Sequence, residues 1–244
     1  MSTISLYKGD VLKTFDKLQS FGYRCDCVIA DLPYYKVVKD DFDNQWETPL
    51  EYLHWVRQVL ERVDNFLYDN ANILLFTSRQ YNHQIMSIMD DIGWHERRNI
   101  IWARKRSFNN TRGKTLASGY EPISWYSKSD DYTFNNIKIK VDSKRPEYVS
   151  GTLKDGITMS DVWNDIPALP WNSKEKVNHP TQKPLKLIKR IVSQFTKEGD
   201  EILDFCMGSG TTGVVCKELG RSFTGIEINQ SFFNIATDRI GLKI

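Results

Sequence analysis

The chain is poor in the residues that build metal sites and disulfide frameworks, with four cysteines and four histidines among 244 residues. Cys25, Cys27, Cys206 and Cys216 fall in predicted strands, a glycine-rich loop and a helix, without zinc-site or disulfide-scaffold spacing. They read as small core residues of a reducing cytoplasm. His54, His83, His95 and His179 are scattered, so no metal is expected. No apolar run approaches the roughly 18 residues of a membrane span, and the first residues enter a mixed polar strand rather than a signal sequence. Membrane and secreted classes are therefore not expected. Charge of one sign is lacking too: the net charge is +2, which does not by itself point to a polyanionic partner. There is no internal repeat and no low-complexity run.

What the chain does have is alternation. Strands are predicted over 3–8, 25–31, 72–77, 95–103, 121–127, 201–205 and 222–226. Helices are predicted over 10–20, 48–67, 80–92, from Pro184 onward, and over 211–219. In the longest helix Leu53, Val56, Leu60, Val63 and Leu67 recur at spacings of three and four, an apolar stripe that belongs in a core. Alternating strands and helices imply an α/β fold with a doubly wound, mostly parallel sheet. Only 128–175 is polar with weak periodicity.

Two stretches carry chemistry. Cys25 to Tyr35 runs from an apolar β-type segment into Asp31, Leu32, Pro33 and Tyr34. Strand ends in such sheets point into the ligand crevice, and proline stops the ladder there. Asp31 can accept hydrogen bonds from an amino group, the neighbouring backbone carbonyl can accept a second, and Tyr34 can cover one face of a flat ring. The second stretch, Asp204, Phe205, Cys206, Met207, Gly208, Ser209, Gly210, Thr211, Thr212 and Gly213, is a strand end, a glycine loop and a helix start, which favours anionic groups. Its glycines satisfy G-x-G-x-x-G, and Glu227 ends the following strand where a ribose-binding acid belongs. A nicotinamide oxidoreductase must be considered on that pattern. However, only a helix, a strand and a helix fit after Gly213, so the other strands come from earlier in the chain and the nucleotide half sits last.

In this order the motifs resemble the beta group of DNA amino-methyltransferases, in which an Asp-Pro-Pro-Tyr motif comes first, target recognition follows, and the cofactor glycines come last. Three further stretches carry the resemblance: Leu6 to Asp10, His179-Pro180-Thr181-Gln182-Lys183-Pro184, and Gly225-Ile226-Glu227 followed by Phe232, Ala236 and Arg239. It implies a Rossmann-like methyltransferase domain over 1–244, divided into a catalytic half (1–127), a target-recognition insertion (128–175) and a cofactor half (176–244). The implied cofactor is S-adenosyl-L-methionine. Asp10 would meet its adenine and Glu227 its ribose hydroxyls. His179, Thr181 and Lys183 would lie near the methionine carboxylate, with Asp204, Phe205, Cys206, Gly208, Ser209, Gly210 and Thr211 around methionine and ribose. Asp31, Leu32, Pro33 and Tyr34 would form the catalytic motif. Two departures stand out. Leu32 replaces a proline whose carbonyl is the used group, and Cys206 replaces a phenylalanine that contacts the cofactor.

Charge distribution adds a partner. Residues 97–115 carry seven bases and no acid, 174–190 are almost as basic, and 40–51 are purely acidic. Beside a ring-gripping motif, Arg104, Lys105, Arg106, Arg112 and Lys114 are expected to track the phosphates of double-stranded DNA. Residues 107–119, with two glycines, are expected to be mobile. The resulting expectation is a cytoplasmic enzyme that flips adenine out of the duplex and methylates its N6 amine. Cytosine-N4 methylation is the nearest alternative, although in that group the motif usually begins with Ser rather than Asp. A catalytically silent DNA-binding module is a third reading. A homodimer and a cognate restriction endonuclease stay open as partners, and no membrane is expected.

Overall fold

The computed structural model describes residues 2–108, 116–139 and 156–242, without the side chains of 105–108. Its frame is an eight-stranded sheet in the order β1-β10-β9-β2-β3-β5-β4-β8. These are β1 (Ile4–Lys8), β2 (Cys25–Asp31), β3 (Leu67–Phe76), β4 (His95–Phe108), β5 (Ser118–Ser127), β8 (Val162–Trp163), β9 (Glu201–Asp204) and β10 (Ser222–Glu227). All but β5 point the same way. Two short strands, β6 (Lys138–Ile139) and β7 (Ile157–Thr158), pair separately.

Each face of the sheet is covered by helices, because strands buried on both sides must find apolar partners on both. Phe15 and Leu18 of α1 (Val11–Ser20), Tyr52, Val56 and Leu60 of α2 (Pro49–Asp64) and Ile85 and Met89 of α3 (Asn82–Ile92) share one core with Val28 and Ala30 of β2. Cys27 and Ile29 face the other, formed by Leu187, Ile191 and Val192 of α4 (Leu185–Phe195), Val215 of α5 (Thr211–Glu218) and Ala236 and Ile240 of α6 (Gln230–Ile240). Cys25, Cys27 and Cys216 are buried free thiols in these cores. Among the described residues no helix is long and apolar enough to cross a membrane.

Local signals set most of the helix boundaries. Thr48 accepts from the Glu51 amide at 3.2 Å and Pro49 opens α2 at the position where its missing N–H costs nothing. The helix ends earlier than the apolar stripe suggests. Leu67 opens β3 instead, pairing with Cys25 while the Phe66 carbonyl accepts from the Cys25 amide at 2.8 Å. The stripe continues because Leu67 is buried in either state, and strand pairing decides between them. The stretch 128–175 is likewise not wholly outside the sheet, since Val162 and Trp163 pair with Ile101 and Trp102. Residues 107–119, expected to be mobile, lie largely outside the described residues.

The chain leaves β2 toward β3 on one side and β9 toward β10 on the other. Neighbouring strands whose connections diverge open a crevice at their carboxyl ends. Asp31 and Asp204 end those two strands.

Candidate active site

Past Asp31 the backbone makes one more ladder bond, from the Leu32 amide to the Phe76 carbonyl at 3.1 Å, and then turns. Tyr52 donates its hydroxyl to the Pro33 carbonyl at 2.8 Å. Tyr35 and Lys36 both lie in the left-handed region, at φ 57° and 58°. For residues with a Cβ this costs about 1–2 kcal/mol each, so the surroundings must impose it. Asp43 does so. One of its oxygens accepts from the Tyr34 amide at 2.5 Å, and the other from the Val37 and Val38 amides at 2.7 and 2.8 Å. Its carbonyl also accepts from the Lys36 amide at 2.8 Å. Asp43 is 1% exposed. In the sequence it is one acid in an acidic run, and only the fold singles it out.

Around Asp31 lies a network of charges. One carboxylate oxygen accepts from the Tyr34 hydroxyl at 2.8 Å, and the other from the Lys183 ammonium. Lys183 stands 3.4 Å from Glu121 Oε2, which also accepts from Tyr34 at 3.2 Å. Glu121 Oε1 accepts from Arg104 at 2.8 Å, and Arg104 in turn donates to the Ser118 carbonyl and hydroxyl at 2.9 and 2.8 Å. Burial pushes Lys183 down, but Asp31 and Glu121 more than reverse this, so it stays charged. Burial pushes Glu121 up, and Lys183 and Arg104 more than reverse it, holding the carboxyl below its usual range. Asp31 is raised: burial exceeds what Lys183 returns, and Glu121 adds to it. Two carboxylates and two cations thus make a neutral buried cluster, in which breaking one partner leaves an uncompensated charge.

Beside Asp31 a partly open cleft is lined by Gly9, Asp10, Phe42, Phe205, Cys206, Glu227 and Phe232. A second cleft, lined by Asp31, Lys183, Asp204, Ser209 and Thr211, adjoins it, and His179, Thr181 and Gly208 line both. Together they have the mixed polar and apolar lining of a small-molecule site. Glu227 accepts from the Gly208 and Asn229 amides at 2.9 and 2.6 Å. Asp204 accepts from the Cys206 amide at 3.1 Å and from the Thr212 hydroxyl at 2.7 Å. Burial lifts Asp204 to about 7 and pushes the Cys206 thiol up, so that thiol is neutral. Asp10 lines the cleft and also caps α1 through Lys13. Ser209 and Thr211 are tied to Arg239, which donates to both hydroxyls at 3.0 and 3.1 Å.

Gly208 has φ 50°, and a Cβ there would stand 2.7 Å from His179 Nε2. His179 is packed against Phe42 and Phe232, with centroids 6.2 and 4.4 Å away. Burial, then Lys183, Lys176 and Arg239, lowers it to about 3, so it is neutral, and its buried Nδ1 has no hydrogen-bond partner among the described residues. A neutral imidazole with a free nitrogen at the junction of the clefts is a ready contact for a ligand. Phe42 was hidden in the acidic run, where an aromatic among acids is the single signal. Glu121 was hidden at the start of a strand.

Several expected positions move. Gly210 lines neither cleft: its missing Cβ makes room for Ala236 at 2.8 Å, and Gly213 does the same for Ile240 and Phe223. These two glycines of the G-x-G-x-x-G pattern serve packing. Lys183, expected beside a methionine carboxylate, is held by Asp31 and Glu121. Arg104, expected on DNA, is 8% exposed and pairs with Glu121, because an internal carboxylate needs it. Arg97 pairs with Asp130, Arg190 with Asp165 and Lys189 with Glu218, so these bases have acidic partners within the chain. The side chains of Lys105 and Arg106, and all of Arg112 and Lys114, lie outside the described residues.

Residues 25–238 match a family model described as DNA methylase. The chain is 31% identical over 222 residues to Type II methyltransferase M.HpaI of Haemophilus parainfluenzae, covering 88% of this chain and 68% of that protein. It is 30% identical over 260 aligned positions to Type II methyltransferase M2.DpnII of Streptococcus pneumoniae, covering 96% and 88%. Among solved structures it resembles the M1.HpyAVI–SAM complex, with TM-score 0.74, 24% identity and coverage of 98% and 100%. It also resembles PvuII DNA methyltransferase, described as cytosine-N4-specific, with TM-score 0.74, 17% identity and coverage of 98% and 86%. At these identities the two structures speak for the fold, a Rossmann-like sheet.

Proposed function

The chain belongs to the N6/N4 DNA methylase family and is an S-adenosylmethionine-dependent DNA methyltransferase, and on that premise we propose that it methylates the N6 amine of an adenine flipped out of duplex DNA. The observation that carries this reading is the place of Asp31. Its carboxylate ends β2 at the switch point and lines both clefts, so one group faces the cofactor space and the crevice mouth together. An acid, rather than a serine, opens the motif.

When bound, S-adenosylmethionine supplies a sulfonium-activated methyl group. The chain's own residues then hold and orient the amine. Asp31 and the Leu32 carbonyl accept its two hydrogens, which keeps the nitrogen lone pair out of the ring as attack develops. Tyr34 covers the ring once its hydroxyl leaves Asp31, offsetting part of the few kcal/mol that flipping costs. Glu227 receives the ribose hydroxyls on lone pairs left free by its two backbone bonds, and Asp10 faces the adenine. Phe42 and Phe232 wall the adenosine, while Gly208, Ser209, Thr211, Thr181 and neutral His179 surround the methionine end. No covalent enzyme intermediate is needed.

We assign target recognition to residues 128–175, of whose described residues only Val162 and Trp163 join the main sheet. The enzyme is placed in the cytoplasm, with duplex DNA as its partner and a cognate restriction endonuclease and a second copy of itself as further candidates. Light scattering reads the oligomeric state, and digestion of host DNA by a paired nuclease reads the other. Methyl transfer from labelled cofactor to duplex DNA, followed by nucleoside analysis, tests the central reading. N6-methyladenine is expected; N4-methylcytosine overturns the adenine assignment, and no transfer overturns the activity.

A further inference from the structure

The acid that must receive the target amine already holds one donor on each of its oxygens, one of them a charged ammonium. Tyr34 holds one at 2.8 Å and Lys183 the other. Glu121 reaches the same two donors from the opposite side, at 3.2 Å from the Tyr34 hydroxyl and 3.4 Å from Lys183 Nζ. Its remaining oxygen is anchored by Arg104, which Ser118 fixes in place. Glu121 lines neither cleft. Two donors are therefore shared between the carboxylate that ends β2 and a carboxylate outside both clefts.

We propose that Glu121 is a positioning residue that takes over Lys183 and the Tyr34 hydroxyl as the target amine displaces them from Asp31. The inference rests on the adenine-methylation reading above. Its physical basis is charge conservation in a buried place. A lysine drawn off Asp31 with no second carboxylate beside it would be an unpaired buried cation, which is expensive. The Asp31 ion pair would then persist and compete with the incoming amine. With Glu121 anchored by Arg104, the ammonium moves between two acceptors and keeps a counter-ion at every step. The phenol behaves alike, so its ring is released without stranding its hydroxyl. No bond to carbon or sulfur changes in this step; only hydrogen-bond partners are exchanged.

Glu121→Gln separates this from a scaffold role, because the amide oxygen still accepts from Arg104 while the charge is gone. Binding of S-adenosylhomocysteine and of duplex DNA should stay within twofold of wild type, while the single-turnover methyl-transfer rate falls ten- to a hundredfold. Among the described residues, the groups facing Asp31 are Lys183, Tyr34, Glu121, Asp204, Cys206 and Tyr52. Of these, Glu121 is the anion lost in the variant, so the acid limb of the rate profile should move to lower pH. In a Tyr34→Phe background the effect of Glu121→Gln should shrink, since one of the shared donors is absent. Should Glu121→Gln fail to fold, Glu121→Asp keeps the charge at a longer reach and should slow transfer three- to tenfold with the acid limb in place. A Glu121→Gln rate within twofold of wild type, a loss lying in KM alone, or an acid limb moving upward overturns the proposal, as does a wild-type rate in Glu121→Asp. Wild-type protein that places no methyl group on adenine defeats the underlying reading before any variant is made, so the two failures are distinct.

Discussion

The two acid-bearing ends of the cleft are satisfied in opposite ways. Asp204 and Glu227 take their hydrogen bonds from Cys206, Thr212, Gly208 and Asn229, all within one strand-turn-helix-strand unit and at most 19 positions away. Asp31 has a local donor in Tyr34 but relies for its other oxygen on a lysine 152 positions along the chain and, through it, on a glutamate and an arginine from two other strands. The first arrangement is a local loop that closes on itself and presents a fixed wall. The second is a shared set of donors drawn from distant elements, which can be exchanged without unfolding anything. A fixed wall suits a cofactor that is bound in one pose; exchangeable partners suit an acid that must change partners during the reaction.

The sharpest way to break the contrast is Asp31→Ala. If the ends are separate, S-adenosylhomocysteine and DNA still bind, while methyl transfer under single-turnover conditions falls by three to four orders of magnitude, or about 4–6 kcal/mol. A comparable loss of cofactor affinity would show that the ends act as one. Glu227→Ala probes the local end. Calorimetry should find S-adenosylhomocysteine binding weakened by about 1.5–3 kcal/mol, as for hydrogen bonds lost from a charged group. An unchanged affinity would remove Glu227 from the ribose.

Gly208→Ala sharpens the idea of a fixed wall. The methyl group would meet His179 and the left-handed backbone would be strained, so cofactor affinity should drop by about 1–2 kcal/mol. Because His179 sits between Phe42 and Phe232, the additional loss caused by Gly208→Ala should be smaller in a His179→Ala background than in wild type if that contact is the cause.

The smallest effect concerns pH. Asp204 has its folded pKa near 7 against the ordinary 3.8. A raised carboxyl binds its proton more tightly folded than unfolded, so the stability it contributes is complete below about pH 4, declines as pH rises to 7, and is level above. Asp204→Asn should reduce that decline by about 1–2 kcal/mol, read as a flatter plot of Tm against pH between 4 and 8. An unchanged slope would mean that Asp204 is ionised at neutral pH in the folded protein.

The local end was the legible one. Strand 201–205, the glycine loop, the helix from Thr211 and Glu227 after the next strand are contiguous, and each has a local physical reason: a short apolar run, a positive φ, a helix start, a strand end. Asp31 was legible for the same reason, since Pro33 stops β2 at a known point. Even here contiguity misled in detail. Gly210 and Gly213 satisfy a ligand-binding pattern yet face Ala236, Ile240 and Phe223, because a glycine spacing records that a Cβ is excluded and not what excludes it.

What the sequence by itself determined was the order of elements, the doubly wound sheet and the two strand ends that open the crevice. These follow from periodicity, punctuation by proline and glycine, and residue chemistry, all of which act over a few positions. Only the tertiary structure decided which charges belong to the surface and which to the interior. Arg104 and Lys183 read as members of basic runs, Glu121 as the first residue of a strand, and Asp43 and Phe42 as parts of an acidic stretch. Their places were settled when β4, β5, the segment before α4 and the loop after β2 converged on one small volume, where each buried charge needed a counter-charge or backbone donors within about 4 Å. That requirement is set by distance in space, to which spacing along the chain is blind.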